Sequence, residues 1–221
     1  MNYNRLIEAS RVFVKNEKRD AMYKVATYLI SQFWGDPKDM ADALGVLLLT
    51  WNQAFYRYGS FDFDMLEKWL KENIDILERL RKRDIFDLNE NDLKVVRNLF
   101  ESLLETLKDP KGRKSPVAVS KVLHLLAPQL FPLWDNKIAK AYECFWYHSE
   151  AASDKYVGFM KKIKNLAESV IQSFINAEGG DRVKAIKAIC DRCPQNLPFT
   201  KSLLKIIDEY NYSKFSKGWI K

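Results

Sequence analysis

Along most of the chain apolar residues recur at three- and four-residue steps, the spacing that gathers them on one face of an α-helix. Residues 5–14 and 21–34 follow it. Asp36 and Pro37 then supply an N-cap and a proline suited to the first helical position. A helix is expected from there to about Tyr58, closed by Gly59. Its middle, residues 44–49, is apolar on every side, which predicts a central helix with others around it. Residues 63–80 and 92–107 are amphipathic, the second with Asn89 or Asn91 as its cap, and residues 109–115, DPKGRKS, predict a loop. Further on, Ser153 or Asp154 is expected to cap a long helix that Gly179 and Gly180 end. Asp181 opens a short helix to Cys190, and Thr200 caps another reaching Tyr210. No run alternates with period two between hairpin turns. The pattern predicts an all-α globular protein of about ten helices. A single domain over residues 1–221 is expected, with packed lobes at 1–108 and 109–221 as the alternative division.

Residues 115–138, SPVAVSKVLHLLAPQLFPLWDNKI, interrupt this regularity. Pro116 starts a helix whose buried surface is expected to comprise Val117, Ala118, Val122, Leu125 and Leu126. Pro128 and Pro132 stop it and impose an extended connector that its own apolar residues pin to the core. The connector delivers one acid, Asp135, behind Trp134, at the N-cap of a helix expected to run from Asn136 to about Tyr147. A carboxylate there accepts bonds from the first free backbone N–H groups, so a structural role alone would explain it.

Charge adds a direction. The chain carries 36 basic and 29 acidic residues, a balance of +7. From Asp109 onward the count is 19 basic against 11 acidic, so the excess lies in the second half. A basic half favours a polyanionic partner. The N-terminus lacks the apolar core of a signal peptide, and the longest apolar run, residues 43–51, is far shorter than a bilayer span. No membrane partner and a cytoplasmic location are expected. Three cysteines do not make a disulfide framework.

The helix, the proline-bearing connector, the apolar residue and then Asp135 resemble the segment that follows the hairpin in the helix-hairpin-helix DNA glycosylases. Laying Ser120 on the small residue after the family's hairpin puts Asp135 on its catalytic aspartate. The resemblance covers about residues 40–150. It implies a DNA-binding protein that hydrolyses an N-glycosidic bond, the Asp135 carboxylate stabilising positive charge at the sugar and orienting water. Arg113 and Ser115 occupy the hairpin's glycine positions, and Val117 stands where bifunctional members carry the Schiff-base lysine. Lyase chemistry of the usual kind is therefore not expected.

Around the elbow, Lys111, Arg113, Lys114, Ser120, Lys121, Lys137 and Lys140 are the candidate nucleic-acid contacts, and Trp134, Tyr142 and Trp146 the candidate base pocket. The same aromatics have a plainer reading as anchors of the connector. His124, beside leucines, is expected to be a hydrogen-bonded boundary residue. Cys144, His148, Cys190 and Cys193 have spacings that a zinc site would tolerate, but a single CxxC lacks its second pair, and no metal or other cofactor is expected. The alternative function is a non-enzymatic helical module that binds or regulates a protein partner.

Overall fold

The computed structural model describes residues 1–18, 20–194 and 201–221. Among them are ten α-helices and no strand, so the all-α expectation holds. The helices are α1 Tyr3–Asn16, α2 Asp20–Gln32, α3 Pro37–Trp51, α4 Phe63–Arg81, α5 Glu90–Thr106, α6 Pro116–Leu126, α7 Asn136–Ala141, α8 Ala152–Glu178, α9 Arg182–Arg192 and α10 Leu203–Asn211. None is long and apolar enough to cross a membrane.

Short polar side chains open most of them. Asp36, Asp135 and Asp181 each accept a backbone N–H of the first turn, as their positions in the sequence predict, and Ser115 does the same for α6. Asn89 does the same for α5 and, with Asp92 returning a bond to its backbone, completes a capping box. Two of the expected caps fall elsewhere. Ser153 and Asp154 lie inside α8, where they bond Glu101 and Arg97 of α5, and Ala151 takes the cap position without a side-chain bond. Thr200 lies outside the described residues, and α10 is capped by Ser202.

α6 sits at the centre, packed by α2, α3 and α5. Its burial goes beyond one stripe: Ser120, Lys121 and His124 are buried with the leucines, while Val117 is the half-exposed position. α3 packs on α2, α4 and α6 as a central helix should, with Leu44, Leu47 and Leu48 fully buried and Leu49 turned outward. Truncating such a leucine to alanine costs about 2–5 kcal/mol. α1 packs on α8, α9 and α10, which brings the beginning of the chain against its end.

Two helices stop short of their expected ends. α3 finishes at Trp51, not near Tyr58, because the Lys121 ammonium takes the Trp51 carbonyl at 3.2 Å and the Asn52 side-chain oxygen. The chain then turns through residues 52–58 and docks on the loop before α6. Tyr56 donates to the Leu107 carbonyl at 2.9 Å, and Gly59, at φ +148°, lies where a Cβ would come within 2.7 Å of Pro110. α7 ends at Ala141, not near Tyr147. Glu143 takes a left-handed conformation at φ +56°, with Cys144 N–H bonded to Ala139 O and Glu143 N–H to Lys140 O. This Schellman arrangement releases residues 144–148 from the helix.

Candidate functional site

The extended connector behind α6 is fixed at several points. Trp134 is 1% exposed, stacks on Trp146 at 4.6 Å and donates its indole N–H to the Pro116 carbonyl. Tyr156 of α8 donates to the Pro132 carbonyl at 2.8 Å, and Ser120 of α6 donates to the Trp134 carbonyl at 3.4 Å. His124 bridges the connector to α2, with Nδ1 2.7 Å from the Phe131 carbonyl and Nε2 2.9 Å from the Tyr23 hydroxyl. Burial pushes its pKa down to about 3, so the ring is neutral, holding its proton at Nδ1 and accepting from Tyr23. It is a core residue, not a boundary one.

This rigid connector places Asp135 at the mouth of a cleft of about 710 Å³. Its carboxylate accepts the Ile138 N–H at 2.7 Å through one oxygen and the Ser216 hydroxyl through the other. Half-exposed, it is both a helix cap and a cleft residue. The walls come from widely separated parts of the chain: Phe13 of α1, Trp51 and Phe55 around the end of α3, Val117 and Lys121 of α6, Phe145 to Tyr147 after α7, and Asp208, Tyr212, Ser216 and Lys217 near the C-terminus line it. The early stop of α7 matters here, because it lets Phe145, Trp146 and Tyr147 turn toward the opening.

The structure sorts the candidate residues. Asp135, Lys114, Lys121, Lys137, Trp134 and Trp146 meet at the cleft. Ser120 has no exposed surface and so cannot touch a phosphate. Tyr142 points the other way, bonding Asn211 at 2.8 Å and meeting Phe159 and Phe215 edge-on, which removes it from any base pocket there. Trp134 is too enclosed to offer a stacking face; its partner Trp146 is half-exposed and does. Lys111 and Lys140 are exposed outside the cleft, over the rings of Tyr58 and Phe145. Lys121, 9% exposed, serves as the C-cap of α3, and Lys114 is paired with Glu105.

The hairpin has a different interior from the one the resemblance implies. Asp109, 5% exposed, turns its carboxylate back into the loop and accepts the N–H groups of Lys111 at 3.0 Å and Arg113 at 2.8 Å. The Arg113 guanidinium closes on the same carboxylate at 2.6 Å. Although burial opposes it, these bonds and the guanidinium leave the Asp109 pKa lowered. The amides that a phosphate would need are therefore occupied by the chain's own anion.

Beneath the cleft lies a cluster absent from the sequence reading. Lys205 of α10, with no exposed surface, faces Asp20 at 3.2 Å, Glu209 at 3.5 Å and Asp208 at 3.6 Å. Lys201, also buried, meets Glu209 at 2.8 Å. Burial pulls the Lys205 pKa down, and Asp20, Glu209 and Asp208 more than reverse this, so it ends raised. Its ammonium also lies 4.3 Å from the ring centre of Phe13 and 4.8 Å from that of Tyr23. The available signal was Lys205-Ile-Ile-Asp208-Glu209, charges spaced three and four apart in an otherwise apolar helix.

Cys144, Cys190 and Cys193 are buried thiols, and burial raises the pKa of each, which makes them poor nucleophiles. Among the described residues no group of three or more His, Cys, Asp or Glu is arranged to hold a metal ion. No family model, curated protein or solved structure matches the chain.

Proposed function

We propose that the chain binds DNA across this cleft and hydrolyses an N-glycosidic bond with Asp135. One observation carries the reading: a half-exposed carboxylate, held by two donors, opens onto a cleft of about 710 Å³ that also presents lysine and aromatic side chains. That volume suits a nucleotide turned out of a helix. The carboxylate faces the sugar, stabilises the positive charge that develops as the base departs, and orients the attacking water. Trp146 and Phe145 supply faces on which the base stacks. Lys137 and Lys217 contact the phosphates beside it, in place of hairpin amides that Asp109 occupies. A monofunctional hydrolysis fits the absence of an amine at Val117.

The test has two stages. Band-shift titrations on duplex DNA at rising salt measure binding, whose affinity must fall steeply if lysines neutralise phosphates. Duplexes carrying deaminated, oxidised or alkylated bases are then assayed for abasic sites with wild type and Asp135→Asn. Excision lost in the variant supports the reading; salt-independent binding, or excision unchanged in the variant, removes it. A second reading, a helical module for a protein partner, is favoured by Tyr147, which is 89% exposed at the cleft mouth.

A further inference from the structure

Asp135 shares its cleft with a second carboxyl, Asp208, and the two are held in opposite ways. Asp135 is half-exposed and receives two donors. Asp208, on α10, is 8% exposed, and the Lys205 ammonium lies 3.6 Å from its carboxyl. The groups that face it are Lys205 and Glu209 from its own helix, Asp20 and Tyr23 from α2, and Asp135 from the cap of α7. Lys205 also meets Asp20 and Glu209, both nearer than Asp208, so one buried ammonium is shared among three carboxyl groups. An ionised Asp208 would be a buried negative charge whose ion-pair partner, Lys205, is shared with two nearer carboxylates. Burial pushes its pKa up, Lys205 draws it back, and Glu209, Asp135 and Asp20 push it up again, to about 7.

We propose that Asp208 is the acid partner of Asp135, entering the cleft protonated and giving its proton to the departing base while Asp135 faces the sugar as a carboxylate. This rests on the glycosidic reading above. A carboxyl that burial inclines to keep its proton, lining the same cleft as a second, more exposed carboxyl, is the arrangement that bond cleavage at an acetal carbon calls for. The bond between C1′ and the base nitrogen breaks, and its electron pair stays with the base. The Asp208 proton neutralises the base directly or at a neighbouring ring atom. Water adds to C1′ and releases one proton through Asp135 to solvent, and Asp208 regains one proton from solvent. One water is consumed, a base and an abasic sugar are formed, and no other reactant is needed.

Binding of two probes tests this. One duplex carries a neutral tetrahydrofuran in place of a nucleoside; the other carries a cationic pyrrolidine, which mimics charge at the sugar. In wild type the preference for the pyrrolidine duplex should grow about tenfold between pH 5.5 and 8.5, as Asp208 ionises and adds a second negative charge. In Asp208→Asn the preference should not change with pH, and in Asp135→Asn it should be lost at low pH. If the wild-type preference is constant across that range while Asp135→Asn removes it, the role of Asp208 is overturned and the parent reading stands. If neither duplex binds, or Asp135→Asn retains the preference at pH 5.5, both fail. Carbon-13 NMR of the free wild-type protein gives a readout that needs neither DNA nor a variant. The Asp208 carboxyl is expected to titrate near pH 7, and a midpoint below about pH 5, near the ordinary value for aspartate, would overturn the proposal.

Discussion

The Ser216 hydroxyl donates to Oδ2 of Asp135, joining residues 81 positions apart. The other oxygen of the same carboxylate caps α7 through the Ile138 N–H. A side chain that only had to cap a six-residue helix would not need a second donor from the end of the chain. The bond ties the elbow to the C-terminal segment, and with the Lys137 ammonium on the Ser216 carbonyl at 2.9 Å it closes one side of the cleft.

Removing Asp135 therefore has separable structural and chemical parts. Asp135→Ala loses the cap and is expected to lower stability by about 1–2 kcal/mol, measured by urea unfolding. Asp135→Asn keeps an acceptor for the Ile138 N–H and should lose only a few tenths of that. An Asn variant as unstable as the Ala variant would mean that the hydrogen bond from Ser216 to the carboxylate, not the cap, holds the elbow.

Most helices were legible because they bury an apolar face and announce their start with a capping residue. The early ends of α3 and α7 were not. Lys121 terminates α3 from seventy positions away, and the left-handed turn at Glu143 uses a residue with no sequence signature for that conformation. The cleft was half legible for the same reason. The Pro-rich elbow marks Asp135 locally, whereas Ser216, Lys217 and Asp208 reach it only through the packing of α10 against α1. Ser120 is buried among the helices around α6, and Tyr142 is drawn onto Asn211 and Phe215, contacts that their local sequence does not announce.

The lysines should divide by environment. Lys137 and Lys217 are exposed at the cleft, so each change to alanine should reduce the slope of log affinity against log salt by about one unit. Lys121→Met should leave that slope unaltered and lower stability by about 1–3 kcal/mol, since it strips the Trp51 carbonyl and Asn52 of a buried charged donor. A lower salt slope in Lys121→Met with unchanged unfolding would return Lys121 to the phosphate contacts.

Asp109 should hold its loop shut only while ionised. Its lowered pKa means that the folded state favours the carboxylate, so this contribution is present above the ordinary aspartate pKa and is lost as pH falls through the folded value. Asp109→Ala removes the acceptor at every pH. Amide hydrogen exchange at Lys111 and Arg113 should then accelerate, while exchange in α5 and α6 stays slow. Unchanged protection at both amides would show that the turn is held by its backbone bonds alone.

Asp208 makes the opposite pH prediction. Its pKa in the folded protein, about 7, lies above the ordinary aspartate value, so the folded state binds the proton more tightly than the unfolded state. The stability this gives is fully present below the unfolded pKa, near pH 4, and is lost as pH rises through about 7. Asp208→Asn replaces the neutral acid with a neutral amide of the same shape and removes the group that must ionise. Wild type and variant should differ little at pH 4, while at pH 8.5 the variant should be the more stable by about 1 kcal/mol or more. Lys205 keeps Asp20 and Glu209 in the variant, so its ammonium remains paired. Thermal unfolding of both proteins at the two pH values decides the matter. A variant that is less stable than wild type at pH 8.5 would mean that ionised Asp208 is needed by Lys205, and that the buried cluster is balanced with three carboxylates instead of two.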